Sequence, residues 1–354
     1  MIIELNGIKD SRNPTLSLGL GVIETSLHTK IKLYKKRAQE VEGYLSKRPE
    51  EWGKFQNEFN SEMNGIFKSI SDFEKTNLAK ENVEKVKKFK KFFRRKLRHL
   101  FVRGVYSKWT VDKPLGYAGD YKIIDDIYQN NPLTTGYARL FDNYYQMTSM
   151  CVAVRNRKED FKHLIIDFVN KRRKNPVVIM NLGCGSSREV KEILKSDILL
   201  KKNVFFDCYD FEPKAINFAK KVLKKISKVR FIKENILRIA AANNVNKEIN
   251  KKYDLIYSTG FFDYLNKKIA TRLVHNLKKL LKTRGILIIA NVRDKFSNPT
   301  FHYMDWAGEW EVIYRTDDEF KKIFTEAGFK EKELRVQYEQ QGIMQYTIAA
   351  NLSK

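Results

Sequence analysis

From Leu27 to about Arg103 the chain carries little glycine or proline, and apolar residues recur at spacings of three and four. Leu33, Val41 and Leu45 form one such set; Phe55, Phe59, Met63, Ile66, Phe67 and Ile70 form another. That spacing stacks apolar side chains on one helix face, so the region reads as two or three long helices. Residues 1–26 have no clear period, contain Pro14 and several glycines, and read as an irregular or partly extended start. Residues 104–135 are punctuated by Gly and Pro and crowded with aromatics, which predicts a structured loop with a short helix over 121–129. Residues 136–173 are helical again and run into the basic stretch NKRRKN.

After Pro176 the pattern changes to alternation. The apolar run VVIMNL, then VFFDCYD, VRFIK, YDLIYS and GILIIANV read as strands. Between them lie REVKEILKS, PKAINFAKKVLKKI and NKKIATRLVHNLKKLLK, with DDEFKKIFTEAG after the last, all helical in pattern. Short apolar strands alternating with helices predict a mostly parallel α/β sheet with helices on both faces. KELRVQYEQ and MQYTIAANL, separated by a Gly turn, predict a closing hairpin and hence an antiparallel strand at one edge. The fold expected is therefore a Rossmann-like α/β domain over 136–354, preceded by a helical N-terminal region over 1–135.

Composition excludes several classes. Of 354 residues, 42% are hydrophobic and 12% aromatic, enough for a core and too much for a disordered chain. Nothing approaches the ~18 uninterrupted apolar residues of a membrane span. The start MIIELNGIKDSRNP lacks a basic segment, an apolar run and a cleavage site, so a cytoplasmic location is expected. Cys151, Cys184 and Cys208 form no CxxC pair and the five histidines no HExxH, which argues against a disulfide scaffold and a zinc site. The net charge of +26 could mean nucleic acid or an anionic membrane. It is spread along the chain, however, and lysine dominates it, as in proteins from A/T-rich genomes. One local concentration stands out. Residues 85–98 hold nine basic side chains and no acid, with Val86, Phe89, Phe93 and Leu97 in one apolar stripe. Such a face either is simply solvated or docks an acidic partner: an acyl-carrier protein, an anionic membrane surface or RNA.

In an open α/β sheet ligands bind beyond the carboxyl ends of the strands, so the strand ends carry the candidate chemistry. The first reads Asn181-Leu182-Gly183-Cys184-Gly185-Ser186-Ser187. Its two glycines allow a tight turn and close approach to a ligand, and the helix behind offers free N–H groups. Arg188 stands where the third glycine of a dinucleotide fingerprint would be. The second strand ends Tyr209-Asp210-Phe211-Glu212-Pro213, where an acid can accept both hydroxyls of a ribose or cap the next helix. The third ends Glu234-Asn235-Ile236, with an amide able to read an adenine edge; the fourth ends Ser258-Thr259-Gly260-Phe261-Phe262-Asp263-Tyr264, an aromatic mouth.

Together these residues resemble the class I S-adenosylmethionine-dependent methyltransferases over roughly 136–354. The resemblance implies a seven-stranded sheet with its last strand antiparallel and S-adenosylmethionine as cofactor. It implies that Gly183 and Gly185 cradle the methionine end, Asp210 the ribose and Asn235 the adenine. Asn181, Cys184, Phe211, Ile236 and Thr259, which end the same strands, join them as candidate cofactor contacts. Asn181 stands where the family usually has an acid, Ser187 where it has a final Gly, and Asn235 where Asp is more usual. A narrower resemblance rests on Gly116-Tyr117-Ala118-Gly119-Asp120-Tyr121, on STGFFDYL at 258–265, on Tyr303-Met304-Asp305-Trp306 and on Glu311 to Thr316. These are similar to the bacterial extracellular-factor, 3-hydroxypalmitic acid methyl ester biosynthesis family, which implies a hydroxy fatty acid or its activated form as acceptor and a methyl ester as product.

Methyl transfer to a carboxylate oxygen needs alignment and exclusion of water but no general base, consistent with the lack of a His/Asp or Cys/His pair. Tyr117, Asp120, Tyr264, Tyr303 and Arg315 are the candidates for closing and orienting the site, with the GYAGD loop as a lid. Arg315 either holds a substrate carboxylate or pairs with Asp317 or Asp318. Two other readings stand beside a small-molecule enzyme: an RNA or protein methyltransferase, and a non-catalytic cofactor-binding scaffold. The tetrapeptide STGF after the fourth strand is unlike the NPPY type, which disfavours nucleic-acid N-methylation.

Overall fold

The computed structural model describes residues 14–172, 176–196, 202–224 and 227–352. They divide into two compact units: residues up to Gly104 with Thr134–Phe141, and Val105–Leu133 with the chain from Asp142 onward. The first is helical. Its helices are α1 (Pro14–Leu45), α2 (Gln56–Ala79) and α3 (Val83–Lys96). Residues 1–13 of the expected irregular start lie outside the described residues; the rest of it is not irregular, because α1 begins at Pro14. Proline is well placed there, since a first-turn residue has no intrahelical use for its N–H. Aromatic packing holds this unit together: Tyr34 stacks on Phe101 with centroids 5.3 Å apart, and Phe67 meets Phe101 edge-on at 5.4 Å. In α3, Val86 and Phe93 are buried, while Lys87, Lys88, Lys91, Arg95 and Lys96 are exposed.

The second unit opens with two helices, α4 (Val105–Asp112) and α5 (Tyr121–Gln129), the latter where the sequence placed it. Helix α4 lies in a stretch expected to be loop. Its first turn is held by a partner supplied 36 residues later, since Tyr106 N–H donates to the Asp142 carboxylate at 3.1 Å. The helix expected across 136–173 is two, α6 (Gly136–Met147) and α7 (Ser149–Lys171), broken at Thr148. The Ser149 N–H that a continuous helix would have used donates to Thr300 Oγ1 at 2.9 Å. Residues 173–175 of the basic run lie outside the described residues.

The sheet has seven strands in the order β3-β2-β1-β4-β5-β7-β6. They are β1 (Val177–Leu182), β2 (Val204–Asp210), β3 (Val229–Lys233), β4 (Tyr253–Ser258), β5 (Leu281–Val292), β6 (Leu334–Tyr338) and β7 (Met344–Ala350). The first five are parallel, and β7 runs against both β5 and β6, so the hairpin closes one edge as expected. Strands β1 and β4 are buried almost throughout, which is why they read as continuous apolar runs; edge strand β3 is only half-buried. The order reverses between β1 and β4, opening the crevice at their carboxyl ends. Ser258 Oγ bonds the Leu182 carbonyl at 2.9 Å and holds those two ends together. Among the described residues, no helix is long and apolar enough to cross a membrane, and no group of three His, Cys, Asp or Glu could hold a metal.

One buried amide positions the third strand's loop. Asn276, on the helix Lys267–Leu280, donates through Nδ2 to the carbonyls of Ile239 at 2.8 Å and Ala242 at 2.9 Å. It thereby fixes the short helix Ile236–Ala241, whose first residue faces the crevice. Asn276→Ala should lower stability by about 1–3 kcal/mol, because those carbonyls are left unpaired in a dry site. Urea titration should show a lower midpoint at constant slope; an unchanged midpoint would mean that the carbonyls find other partners.

Candidate functional site

At the crevice lies one cavity of about 340 Å³, walled wholly by the second unit. Its floor is the turn after β1. Gly183 and Gly185 adopt φ of +71° and +51°, the left-handed region that favours glycine. A Cβ at Gly183 would stand 3.3 Å from the Phe261 Cβ. The N–H groups of Gly183 and Cys184 donate to the Tyr209 carbonyl at 2.9 and 3.0 Å, tying the turn to the end of β2. Asp210, 7% exposed, accepts from Gly185 N–H through Oδ2 at 2.9 Å and from Glu212 N–H through Oδ1 at 3.0 Å. Burial pushes its carboxyl up, and these N–H bonds offset part of that.

The opposite wall comes from the segment before the sheet. Tyr117, Gly119, Tyr121, Ile124 and Tyr128 all line the cavity. Tyr117 lies with its ring 6.2 Å from that of Phe211, and both burial and the Asp210 charge raise its hydroxyl pKa. Gly119 has no room for a side chain: a Cβ would come 2.3 Å from the Tyr264 hydroxyl and 2.9 Å from Trp310. Tyr264 in turn accepts from Trp310 Nε1 at 2.8 Å.

Of the residues singled out from the sequence, Tyr117, Gly183, Cys184, Gly185, Asp210, Phe211, Ile236, Thr259 and Tyr264 meet at this cavity. Five do not line it. Asn181 is buried beneath the turn and donates to Glu189 Oε1 at 2.9 Å. Asn235 is spent as a helix cap, its Oδ1 accepting from Leu237 N–H at 3.0 Å. Asp120 is fully buried and caps α5 through the N–H groups of Lys122 and Ile123, while its other oxygen accepts from Trp109 Nε1 at 2.8 Å. Tyr303 is packed edge-on against Tyr144, with centroids 5.1 Å apart. Arg315 is buried behind the mouth, donating to the Phe262 carbonyl at 3.1 Å and also to the Leu265 carbonyl and Asn291 Oδ1. It pairs with neither neighbouring acid; Asp317 is taken by Arg293 at 2.8 Å. Arg315 therefore braces the loop after β4, its fork filled by protein acceptors.

Two charged residues on the wall, Arg157 and Glu189, went unnoticed in the sequence, and a third, Asp263, was quoted in the aromatic mouth without a role. Glu189, in the first turn after the glycine loop, is buried and receives Asn181 Nδ2 and the Tyr257 hydroxyl, the latter at 3.0 Å. Burial pushes its carboxyl up. An acid two places beyond the loop was a usable signal. Arg157 had none, since it sits in the charged run RNRKED of a long helix. Asp263 accepts the Val292 N–H through Oδ1 at 2.9 Å, and its backbone carbonyl accepts Ile313 N–H at 2.7 Å.

Two outcomes follow from these placements. Asp120→Ala removes a helix cap and the Trp109 partner, and should cost about 1–2 kcal/mol of stability. Intact stability with lost activity would instead put that carboxylate on a ligand. Burial pushes the Asp263 carboxyl up to about 6, with Arg157, the Val292 N–H and Arg315 offsetting part. An unfolded aspartate titrates near ~3.9, so the folded state keeps this proton longer than the unfolded state. The associated stability is complete below about pH 4 and is lost as pH rises through about 6. Against Asp263→Asn, the wild type should lose up to roughly 3 kcal/mol across that window in urea titrations. A difference independent of pH would mean that Asp263 stays ionised throughout.

Residues 173–328 match a family described as a methyltransferase domain. No curated protein matches the chain. Among solved structures, it is similar to a possible exported protein from Bordetella parapertussis, at 17% identity and a TM-score of 0.53, covering 72% of this chain and 82% of that one. It is also similar to the magnesium protoporphyrin IX methyltransferase ChlM of Synechocystis PCC 6803, at 12% identity and a TM-score of 0.40, covering 58% and 85%. The Bordetella likeness is one of fold alone. With its sheet order and its match over residues 173–328, the chain carries a class I S-adenosylmethionine-dependent methyltransferase domain.

Proposed function

We propose that this domain methylates a small acyl acid, a hydroxy fatty acid, at its carboxylate oxygen. The observation that carries the reading is the lining of the cavity. Beyond the glycine turn its wall is apolar, with Met150, Val154, Val292, Val312 and Met344, a surface suited to an alkyl chain. Among the described residues that line it, Arg157 is the one cation, and it is buried. A nucleic-acid acceptor calls for a basic track along its phosphates, which this wall does not offer. A free acid suits the chemistry better than its activated thioester, which has no carboxylate oxygen to receive a methyl group. The likeness of GYAGD and STGFFDYL to the hydroxy-acid methyl ester family points the same way.

The residues present fit the cofactor. Gly183 and Gly185 leave the backbone bare, and Ser186 Oγ is buried beside them with no protein partner. Asp210 keeps lone pairs beyond those used by Gly185 and Glu212, enough to accept ribose hydroxyls. Phe211 and Ile236 supply apolar surface for the adenine. When bound, the cofactor would supply a methyl group on a sulfonium, taken in line by the carboxylate oxygen as the carbon–sulfur bond breaks and S-adenosylhomocysteine leaves as a neutral thioether. The chain's part is alignment and dryness. Tyr117, Tyr264 and Trp310 close the mouth against water, and the apolar wall holds the acyl chain so that the carboxylate cannot drift from attack geometry.

Calorimetry with S-adenosylhomocysteine should show binding that Asp210→Ala weakens by about 1.5–3 kcal/mol, the cost of losing a charged hydrogen-bond partner. Gly183→Val should abolish it, since the new side chain would press on Phe261. With methyl-labelled cofactor and 3-hydroxyhexadecanoic acid, label should enter an alkali-labile ester seen by mass spectrometry. Label in RNA or protein in place of lipid would move the acceptor to that class. Cofactor binding with no labelled product from any extract would favour the scaffold reading.

A further inference from the structure

Arg157 projects from α7 into the cavity wall with 3% of its surface exposed. Its guanidinium lies against Gly260, just past the end of β4: a Cβ there would be 3.2 Å from Nη1 and 3.3 Å from Nη2. The nearest acid is Asp263, whose Oδ2 stands 3.9 Å from Nη1, at the long limit of an ion pair. The other Asp263 oxygen already accepts the Val292 N–H. Burial pushes the Tyr128 hydroxyl up and the nearby Arg157 charge offsets part of that, while Arg157 Nε has no partner among the protein atoms. A guanidinium carries five N–H donors, and a buried one is costly unless they are filled. Arg315, some fifty residues beyond Asp263, shows the contrast, for its fork is occupied by two carbonyls and an amide oxygen. Ser186 Oγ, on the same cavity wall, is likewise buried without a partner.

We propose that Arg157 is the carboxylate post of this cavity, the residue whose open donors take a carboxylate of the bound ligand. Two sources carry that chemistry: the amino-acid end of the cofactor, and the head of the acyl acceptor. Only the second rests on the acyl-acid reading above. The chemistry favours the first. A reacting carboxylate loses its charge on methylation, so a buried cation upon it would hold the ground state more tightly than the transition state. The cofactor's carboxylate keeps its charge throughout, and an arginine there adds affinity without opposing the transfer.

The test compares ligands that differ only in that group. Titrations of the full chain with S-adenosylmethionine and its decarboxylated form should show the wild type preferring the former by about ten- to a hundredfold, the range for a charge-assisted hydrogen bond. Arg157→Met should bring that preference close to unity while leaving affinity for the decarboxylated form little changed. Arg157→Lys, which keeps the charge but loses the fork, should fall between, and it serves if the Met variant melts early. A second arm, at saturating S-adenosylhomocysteine, compares 3-hydroxyhexadecanoic acid with 1,3-hexadecanediol. Loss of the acid preference in this arm, with the cofactor preference intact, assigns the post to the acceptor. Loss of the cofactor preference in Arg157→Met, where the wild type itself binds neither acyl compound, keeps the post and removes the acyl-acid reading. Preferences equal to wild type in both arms, in folded Met and Lys variants, overturn the proposal.

Discussion

Arg188 and Asp125 are joined by two hydrogen bonds of 2.7 Å each, Nε to one carboxylate oxygen and Nη2 to the other. Asp125 is 1% exposed and the Arg188 side chain 22%, so the carboxylate end of the pair is dry, where a two-pronged geometry is worth most and a missing partner costs most. It binds α5, which precedes the sheet by some fifty residues, to the helix that follows the glycine turn. Tyr117, Tyr121 and Tyr128 are carried on either side of Asp125, so the tie helps to hold them opposite Gly183 and Gly185, together with ring contacts of Tyr117 to Phe211 and of Tyr121 to Phe218. Where a dinucleotide fold has a third glycine for close packing, this chain has an arginine that anchors a second wall.

The other side of the mouth is braced from behind. Arg315 holds the carbonyls of Phe262 and Leu265, and Asp263 takes the N–H of Val292 at the end of β5. The backbone of Asp263 receives Ile313 as well. The loop after β4 is thus fixed by strand β5 and by the segment before the helix Asp317–Glu326, and Tyr264 is presented to Trp310 and Gly119 as a consequence. A loop held this way by its backbone partners is what a preorganised binding site requires. Two of the residues that line the cavity, Arg157 and Ser186, keep a buried polar atom, Nε and Oγ, without a protein partner.

The sheet was legible because its information is local. Continuous apolar runs such as VVIMNL and YDLIYS can be buried on both faces only in a covered parallel sheet, and β1 and β4 fall on those residues. The turn GCGSS holds three left-handed residues, and glycine gives two of them cheaply, so its position was readable; that Ser187 is the third, at φ +50°, was not. Asp210 followed from the same logic, as the acid that ends β2 beside that turn. The stripe Val86–Phe93 likewise marked the buried face of α3.

What only the tertiary structure decided is which polar side chains face inward. Arg315 and Arg157 are the same residue type, and nothing in either neighbourhood of the sequence says that one is enclosed by carbonyls and the other left open. The break at Thr148 depends on a hydroxyl at Thr300, 151 positions away, and the start of α4 on a carboxylate at Asp142. The sequence places Asp120 and Asn235 among the site candidates, yet Asp120 gives one oxygen to the N–H groups that open α5 and the other to Trp109, and Asn235 Oδ1 caps the helix at Leu237. Periodicity and turn chemistry act over a few residues and determined the scaffold. The partner of a buried charge is set by whichever distant segment the fold brings within about 3 Å, and that information exists only once the chain has closed on itself.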